Sequence, residues 1–343
     1  MLLRMRTTLR RKVLKLLPRL GIDVVDIAPS AVLLSRKRGY RAVRAGRDAT
    51  LVSRNLDGQS VYIGEDVTVL MPQTGLEVTA LDRIGLAVGQ RGYEARRISP
   101  GTMLVRSHDA LRQTRDDAHA ALYGHLLTEH VCDLLRRYRV DCVLDVGANK
   151  GQYAQILRRG GYEGQIVSFE PVPELFSELK SAAGGDPSWS VHQVALGRHD
   201  ASIQMNVVVG GMSSVLPPSS YGRSHYQRFD KITAVDVPVR RLDSVLDSVA
   251  PTPAEARLYV KFDTQGYDLE AFAGLGDRVK QVVALQSEVA LLKIYEGMPG
   301  MCDAVSAYSA AGFDITGMFP VNSEPDTGRV LEFDCIVARA DAL

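Results

Sequence analysis

Cysteine is scarce in this chain of 343 residues: there are four, Cys132, Cys142, Cys302 and Cys335, widely scattered and with no CxxC pair. That spacing offers neither a zinc ribbon nor a disulfide framework, and fits reduced, buried thiols in a cytoplasmic protein. No apolar run reaches the roughly eighteen residues a membrane-spanning helix needs. Residues 1–20 lack an uninterrupted apolar segment, because Arg10, Arg11, Lys12 and Lys15 break it up, so a secretory signal is not expected. The GxGxxG fingerprint and the GK[ST] ending of a P-loop are both missing, which argues against pyrophosphate cradling. His119, His125 and His130 share one expected helix, but spacings of six and five spread them around it, and no metal site is expected.

What is present is globular: 45% of residues are hydrophobic and 24% charged, enough for one large domain or two smaller ones. A formal charge of +1 argues against a general polyanion binder, yet it conceals an asymmetry. Residues 1–50 hold 13 Lys/Arg against 3 Asp/Glu, and the remainder holds 28 against 37. Within the basic segment Met5, Leu9, Val13, Leu16, Leu17 and Leu20 recur at helical spacing, which predicts a basic amphipathic helix. Docking of its leucines on the rest of the chain or on a second copy is the favoured reading, with peripheral contact to the anionic inner face of a membrane as the other. Short β-like runs follow, ATLVSRN and QSVYIG, with Asp57-Gly58 as a hairpin signal between them, and VTVLMPQ as a third strand. Residues 1–109 are therefore expected to form an extension of helix and short strands, a plausible homodimer contact. Residues 110–343 are expected to form the main domain, led by one long helix or a broken pair of helices over Ala110 to Arg139.

The chemistry concentrates after that helix. Val140 to Val146 is a buried-strand run that passes directly into Gly147-Ala148-Asn149-Lys150-Gly151 and then the helical QYAQILRR. Gly147 and Gly151 let the backbone turn sharply and approach a ligand, and the next helix presents free amides. Asp145 puts a carboxylate at the strand's end, which suits a cationic sulfonium better than a pyrophosphate. GQIVSFEP forms a second strand ending in Glu170, placed to accept hydrogen bonds from the hydroxyls of a ribose. WSVHQVALG is read as a third strand, with Ala195 to Gly197 small enough to admit a flat adenine. ARLYVKFD ends a fourth at Asp263, followed by Thr264-Gln265-Gly266, and QVVALQSEV ends a fifth near Glu288. Five strand tips then converge where open α/β sheets bind ligands. The GGMSS stretch, with Ser214, is a further candidate for this pocket, although ordinary turn chemistry explains it equally well.

From Val143 to the C-terminus the chain resembles the FkbM family of methyltransferases. The matching pieces are VLDVGANKGQYA, FEPVPELF, VALG, GGMSSVL, RRLDSVL, VKFDTQGYDLEAFAG, SEVALLKIYEG and FPVNSEPDTGRVLEFD, in family order. The resemblance implies a seven-stranded, Rossmann-like class I methyltransferase domain of α/β class with S-adenosylmethionine as donor. It places Asp145, Gly147, Asn149 and Gly151 on the donor turn, Glu170 at the ribose, Ala195 at the adenine, and Asp263 and Gln265 in the motif after the fourth strand. Asp268 stands where the family often has Glu, which shortens its reach.

The expected reaction is O-methylation of a small molecule bearing a hydroxyl, such as a sugar, glycolipid or secondary metabolite. A hydroxyl needs a general base, for which Asp263, Glu288 and, from the Tyr221 to Phe229 loop, His225 are the candidates. Methylation of RNA or protein, or a non-catalytic donor-binding scaffold, are the competing readings. Nucleic acid is disfavoured because the basic segment carries no aromatics for base stacking apart from Tyr40.

Overall fold

A computed structural model describes residues 115–249, 255–324 and 326–343, with side chains from Tyr123 except at 247–249, and the backbone of nine strands between residues 23 and 107. The chain forms two compact units, Met1–Leu122 and Tyr123–Leu343.

The first unit contains β1 (Asp23–Ala28), β2 (Ala31–Ser35), β3 (Tyr40–Arg44), β4 (Ala49–Arg54), β5 (Val67–Leu70), β6 (Leu76–Ala80), β7 (Leu86–Gln90), β8 (Tyr93–Ser99) and β9 (Thr102–Ser107). They pair into sheets of order β1-β2-β5, β3-β4-β9-β8 and β6-β7. The strands expected at ATLVSRN and VTVLMPQ form as β4 and β5. β4 pairs with β3 and β9, however, rather than with the expected partner QSVYIG. The Asp57-Gly58 turn, QSVYIG and the basic N-terminal helix lie outside the described residues.

The second unit follows the order α1 (Arg115–Arg137), β10 (Cys142–Val146), α2 (Gln152–Arg159), β11 (Gln165–Phe169), α3 (Pro173–Ala183), β12 (Trp189–His192), β13 (Ala195–Leu196) and β14 (Ala201–Val208). It continues with α4 (Ser220–His225), β15 (Ile232–Arg240), α5 (Leu242–Val249), β16 (Leu258–Phe262), α6 (Asp268–Ala273), β17 (Val282–Ala290), α7 (Met301–Ala310), β18 (Asp314–Ser323) and β19 (Val330–Ala338). Seven of these strands form one sheet of order β12-β11-β10-β16-β17-β19-β18. Strands β12, β11, β10, β16 and β17 run parallel, and β19 is antiparallel to both β17 and β18. This is the seven-stranded α/β arrangement the resemblance implies.

Alternation along the strands builds a layer on each face. Val143, Ile166, Tyr259 and Ala284 pack with Val131, Leu135, Ala154, Leu157 and Leu179 of α1, α2 and α3. Leu144, Val260, Leu285 and Val337 face the other way, onto Leu242, Leu246, Ala271 and Tyr308 of α5, α6 and α7. Because both faces are covered, CVLDV and LYVKF read as uninterrupted buried runs. Strand order reverses between β10 and β16, and the crevice outside their carboxyl ends is the ligand position of such sheets.

One expected strand is two. WSVHQVALG breaks after His192, where Val194 N–H turns back to the His192 carbonyl at 3.2 Å. β12 stays in the main sheet, whereas β13 leaves it to pair in parallel with Val239 and Arg240 of β15. The β14/β15 antiparallel hairpin completes that small second sheet beside the crevice.

Candidate active site

The crevice holds a cleft of about 670 Å³, lined by residues from the tips of β10, β11 and β16 and from the small sheet. Gly147 has φ +84°, and a Cβ there would lie 2.0 Å from the Asp263 carbonyl oxygen, so only glycine lets the turn after β10 pass so close to the turn after β16. Gly151, also at φ +84°, has no room for a Cβ against the Trp189 ring. Gly147 and Asn149 line the cleft, while Gly151 is buried beneath it.

Asn149 occupies the left-handed region at φ 51°, which aims its N–H at Glu170 Oε2, 2.8 Å away. Val172 N–H donates to the other oxygen at 2.9 Å. Glu170 is only 5% exposed, and burial pushes its carboxyl up to about 7 despite the two amides that favour the ionised form. Each carboxylate oxygen still has a lone pair for a ligand hydroxyl. Val194, Ala195, Leu196, Tyr267 and Phe169 supply the apolar part of the cleft lining.

Charged side chains gather around the ends of β10 and β16. Asp145 is fully buried; its Oδ2 accepts from Ser168 Oγ at 3.2 Å, while Oδ1 has no hydrogen-bond partner. Lys261 Nζ lies 3.9 Å from Asp145 Oδ1 and 2.9 Å from Asp263 Oδ2, and 4.9 Å from the centroid of the Tyr153 ring. Burial opposes the Lys261 ammonium, but the two carboxylates outweigh it and the group is held above the ordinary lysine range.

Gln265 ties the far side together. Its Nε2 donates to Asp263 Oδ1 and Glu288 Oε2, both at 3.1 Å, and its Oε1 accepts from Tyr295 Oη at 2.9 Å. Its backbone is left-handed, at φ 54°, and its carbonyl accepts from Ser214 Oγ at 2.7 Å. The turn is closed from below by Asp268, which receives Thr264 N–H and Oγ and, at 2.8 Å, Ser287 Oγ.

Of the residues singled out by sequence, Gly147, Asn149, Glu170, Ala195, Asp263 and Gln265 line one cleft. Asp145 and Gly151 support it from beneath. Ser214 is fully buried and acts on the Gln265 carbonyl rather than lining the cleft, which is lined by Ser213 instead. Glu288 does not follow its strand: it lies within β17 opposite Asp334, behind Gln265. Its carboxyl is pushed well up by burial and by Asp263 and Glu332 nearby. His225 is outside the cleft, exposed at the end of α4, stacked on Tyr221 at 3.8 Å between ring centroids and 3.8 Å from Glu324. Sequence reading missed Lys261, although a lone lysine inside the apolar run LYVKF was the signal for it. It also missed Tyr267 and the acids Glu332 and Asp334. Among the described residues no group of three or more His, Cys, Asp or Glu is arranged to hold a metal ion, and no helix is long and apolar enough to cross a membrane.

Comparison with known families matches residues 145–308 to the methyltransferase FkbM domain. Over those residues, just under half of its length, the chain is similar to FkbM methyltransferases. Methyltransferase 1 of Beauveria bassiana is 27% identical over 151 residues, which cover 39% of this chain and 58% of that protein. Methyltransferase sdnD of Sordaria araneosa is 22% identical over 183 residues, 47% of this chain and 71% of its own. The match thus spans little more than half the length of the first relative. Among solved structures, magnesium protoporphyrin IX methyltransferase from Synechocystis PCC 6803 with bound S-adenosylmethionine covers 65% of this chain and 83% of its own at 10% identity, TM-score 0.37. Aeropyrum pernix fibrillarin in complex with the same donor covers 77% and 94% at 12% identity, TM-score 0.36. The fold assignment rests on the strand order itself, since likeness at that level is remote. The cleft suits S-adenosylmethionine, the donor that the resemblance implies: it has an acid with free lone pairs at the second strand tip, a turn cleared by glycines, an apolar wall and, buried beneath it, a carboxylate oxygen left without a hydrogen bond.

Proposed function

We propose that this domain transfers a methyl group from S-adenosylmethionine to a hydroxyl of a small acceptor such as a sugar, glycolipid or secondary metabolite. When bound, the donor supplies an electrophilic methyl on a sulfonium, displaced in line by the acceptor oxygen. Glu170 accepts the ribose hydroxyls, held in place by Asn149 and Val172 N–H. Ala195, Phe169 and Tyr267 flank the adenine, and the Gly147 to Gly151 turn leaves room for the amino-acid tail.

The observation that carries the acceptor assignment is the chain Asp263–Gln265–Glu288. Asp263 has both oxygens engaged, by Lys261 and by Gln265, and so presents a fixed carboxylate that orients the acceptor. Glu288 spends one oxygen on Gln265 and keeps the other. Burial and the neighbouring acids Asp263 and Glu332 raise its proton affinity, the direction that favours taking up a proton from the acceptor hydroxyl. Ser214 and Tyr295 hold Gln265 between the two acids, and His225 has no part in this arrangement.

The test is a screen of hydroxyl-bearing small molecules, with RNA and protein fractions as the other arms, using methyl-labelled donor and mass analysis of the product. Label on an oxygen of a small molecule supports the reading. Label only on RNA or protein, or none despite tight donor binding, overturns it.

A further inference from the structure

The buried ammonium of Lys261 calls for an explanation, since a lysine next to last in a central strand is costly to bury even with the Tyr153 ring beside it. It stands between two carboxylates on adjacent strand ends, Asp145 and Asp263, and is only 8% exposed. The methyl donor is a cation whose positive charge disappears as the methyl leaves. A pocket that holds that cation too firmly stabilises the reactant more than the transition state, and slows the reaction.

We propose that Lys261 is a positioning residue of the donor site, holding the Asp263 carboxylate in place and limiting how much negative charge the donor's sulfonium meets. The inference rests on the donor reading given above. Burial favours the neutral form of Asp145 and Lys261 opposes that; with both carboxylates ionised the three groups sum to one negative charge, and without Lys261 to two. Glu170, Glu288, Glu332, Asp334 and Asp268 also surround Asp263, from β11, β17, β19 and α6, and they stay constant through the comparison below.

S-adenosylmethionine and its demethylated product, S-adenosylhomocysteine, share adenine, ribose and amino-acid tail and differ in the sulfonium charge. The ratio of their affinities therefore isolates the charge, because a packing defect weakens both together. The experiment is calorimetry of both ligands at pH 9 on the full chain carrying Lys261→Met, Asp145→Asn, or both, against the unaltered protein. K261M raises the preference for the donor over the product by about fivefold, the scale of one unit charge several ångströms away in a partly wet site. D145N lowers the preference by a similar factor, and the double variant, which restores the original charge, returns it to the starting value. The double variant and D145N keep the test decisive if K261M does not fold. A ratio unchanged in the single variants, or a double variant that fails to return, overturns the proposal. Failure of the unaltered protein to bind either ligand would instead strike the donor reading itself.

Discussion

The Asn149 N–H and the Glu170 carboxylate meet at 2.8 Å across the tips of adjacent strands. The left-handed backbone of Asn149 and the strand end of β11 thus fix one acid at the mouth of the crevice with capacity to spare.

Donor affinity follows the ionisation of Glu170. Burial raises its pKa from the ordinary carboxylate value to about 7, so the acceptor form predominates only above that pH. Affinity for both S-adenosylmethionine and S-adenosylhomocysteine is full near pH 8.5 in this account, on the order of tenfold weaker per pH unit once below the folded pKa. Calorimetry from pH 5.5 to 9 on the unaltered chain and on Glu170→Gln checks it; E170Q binds weakly and loses the dependence.

Glu288→Gln is expected to lower turnover by about 10²-fold or more, the usual scale of a general base, while donor affinity stays near normal. Single-turnover rates with the acceptor found by the screen, beside donor titrations, give both numbers. Unchanged turnover removes Glu288 from the mechanism.

Gly147→Ala forces a Cβ into the Asp263 carbonyl at a backbone angle that L residues avoid. A loss of about 2–4 kcal/mol is expected, from strain and from the displaced turn. Urea unfolding of G147A against the unaltered chain, with donor binding measured in parallel, tests this; binding falls further than stability alone accounts for.

Asp268 is buried and receives Thr264 N–H, Thr264 Oγ and Ser287 Oγ, with Tyr308 Oη donating to Ser287 Oγ at 2.8 Å. Asp268→Ala leaves these donors unpaired and costs about 2–4 kcal/mol by thermal or urea unfolding. Asp268, which stands where the family often has Glu, is thus the latch of the Gln265 turn, its shorter reach matched to Thr264 in the turn and Ser287 of β17.

Much of this was legible in the chain. Strand, glycine turn and helix from Val140 to Arg159 follow from patterns local in sequence, and so does an acid at the tip of the next strand, Glu170, whereas Asp145 is buried within β10 instead of facing the cleft. What escaped depends on partners far away. β13 leaves the sheet because β15, more than 35 residues later, offers it a ladder. Ser214 looked like a ligand contact because the carbonyl it holds belongs to Gln265, 51 residues on. Glu288 was placed past its strand because β17 extends to meet β19, which no window around residue 288 contains. Lys261 was visible as an anomaly, but its meaning required both Asp145 and Asp263 in view.

The most direct measurement is a crystal structure of the chain grown with S-adenosylhomocysteine. The account predicts both ribose hydroxyls on Glu170, adenine beside Ala195 and the amino-acid tail over the Gly147 turn. Density for the ligand anywhere other than this crevice, or a ribose turned away from Glu170, would contradict it.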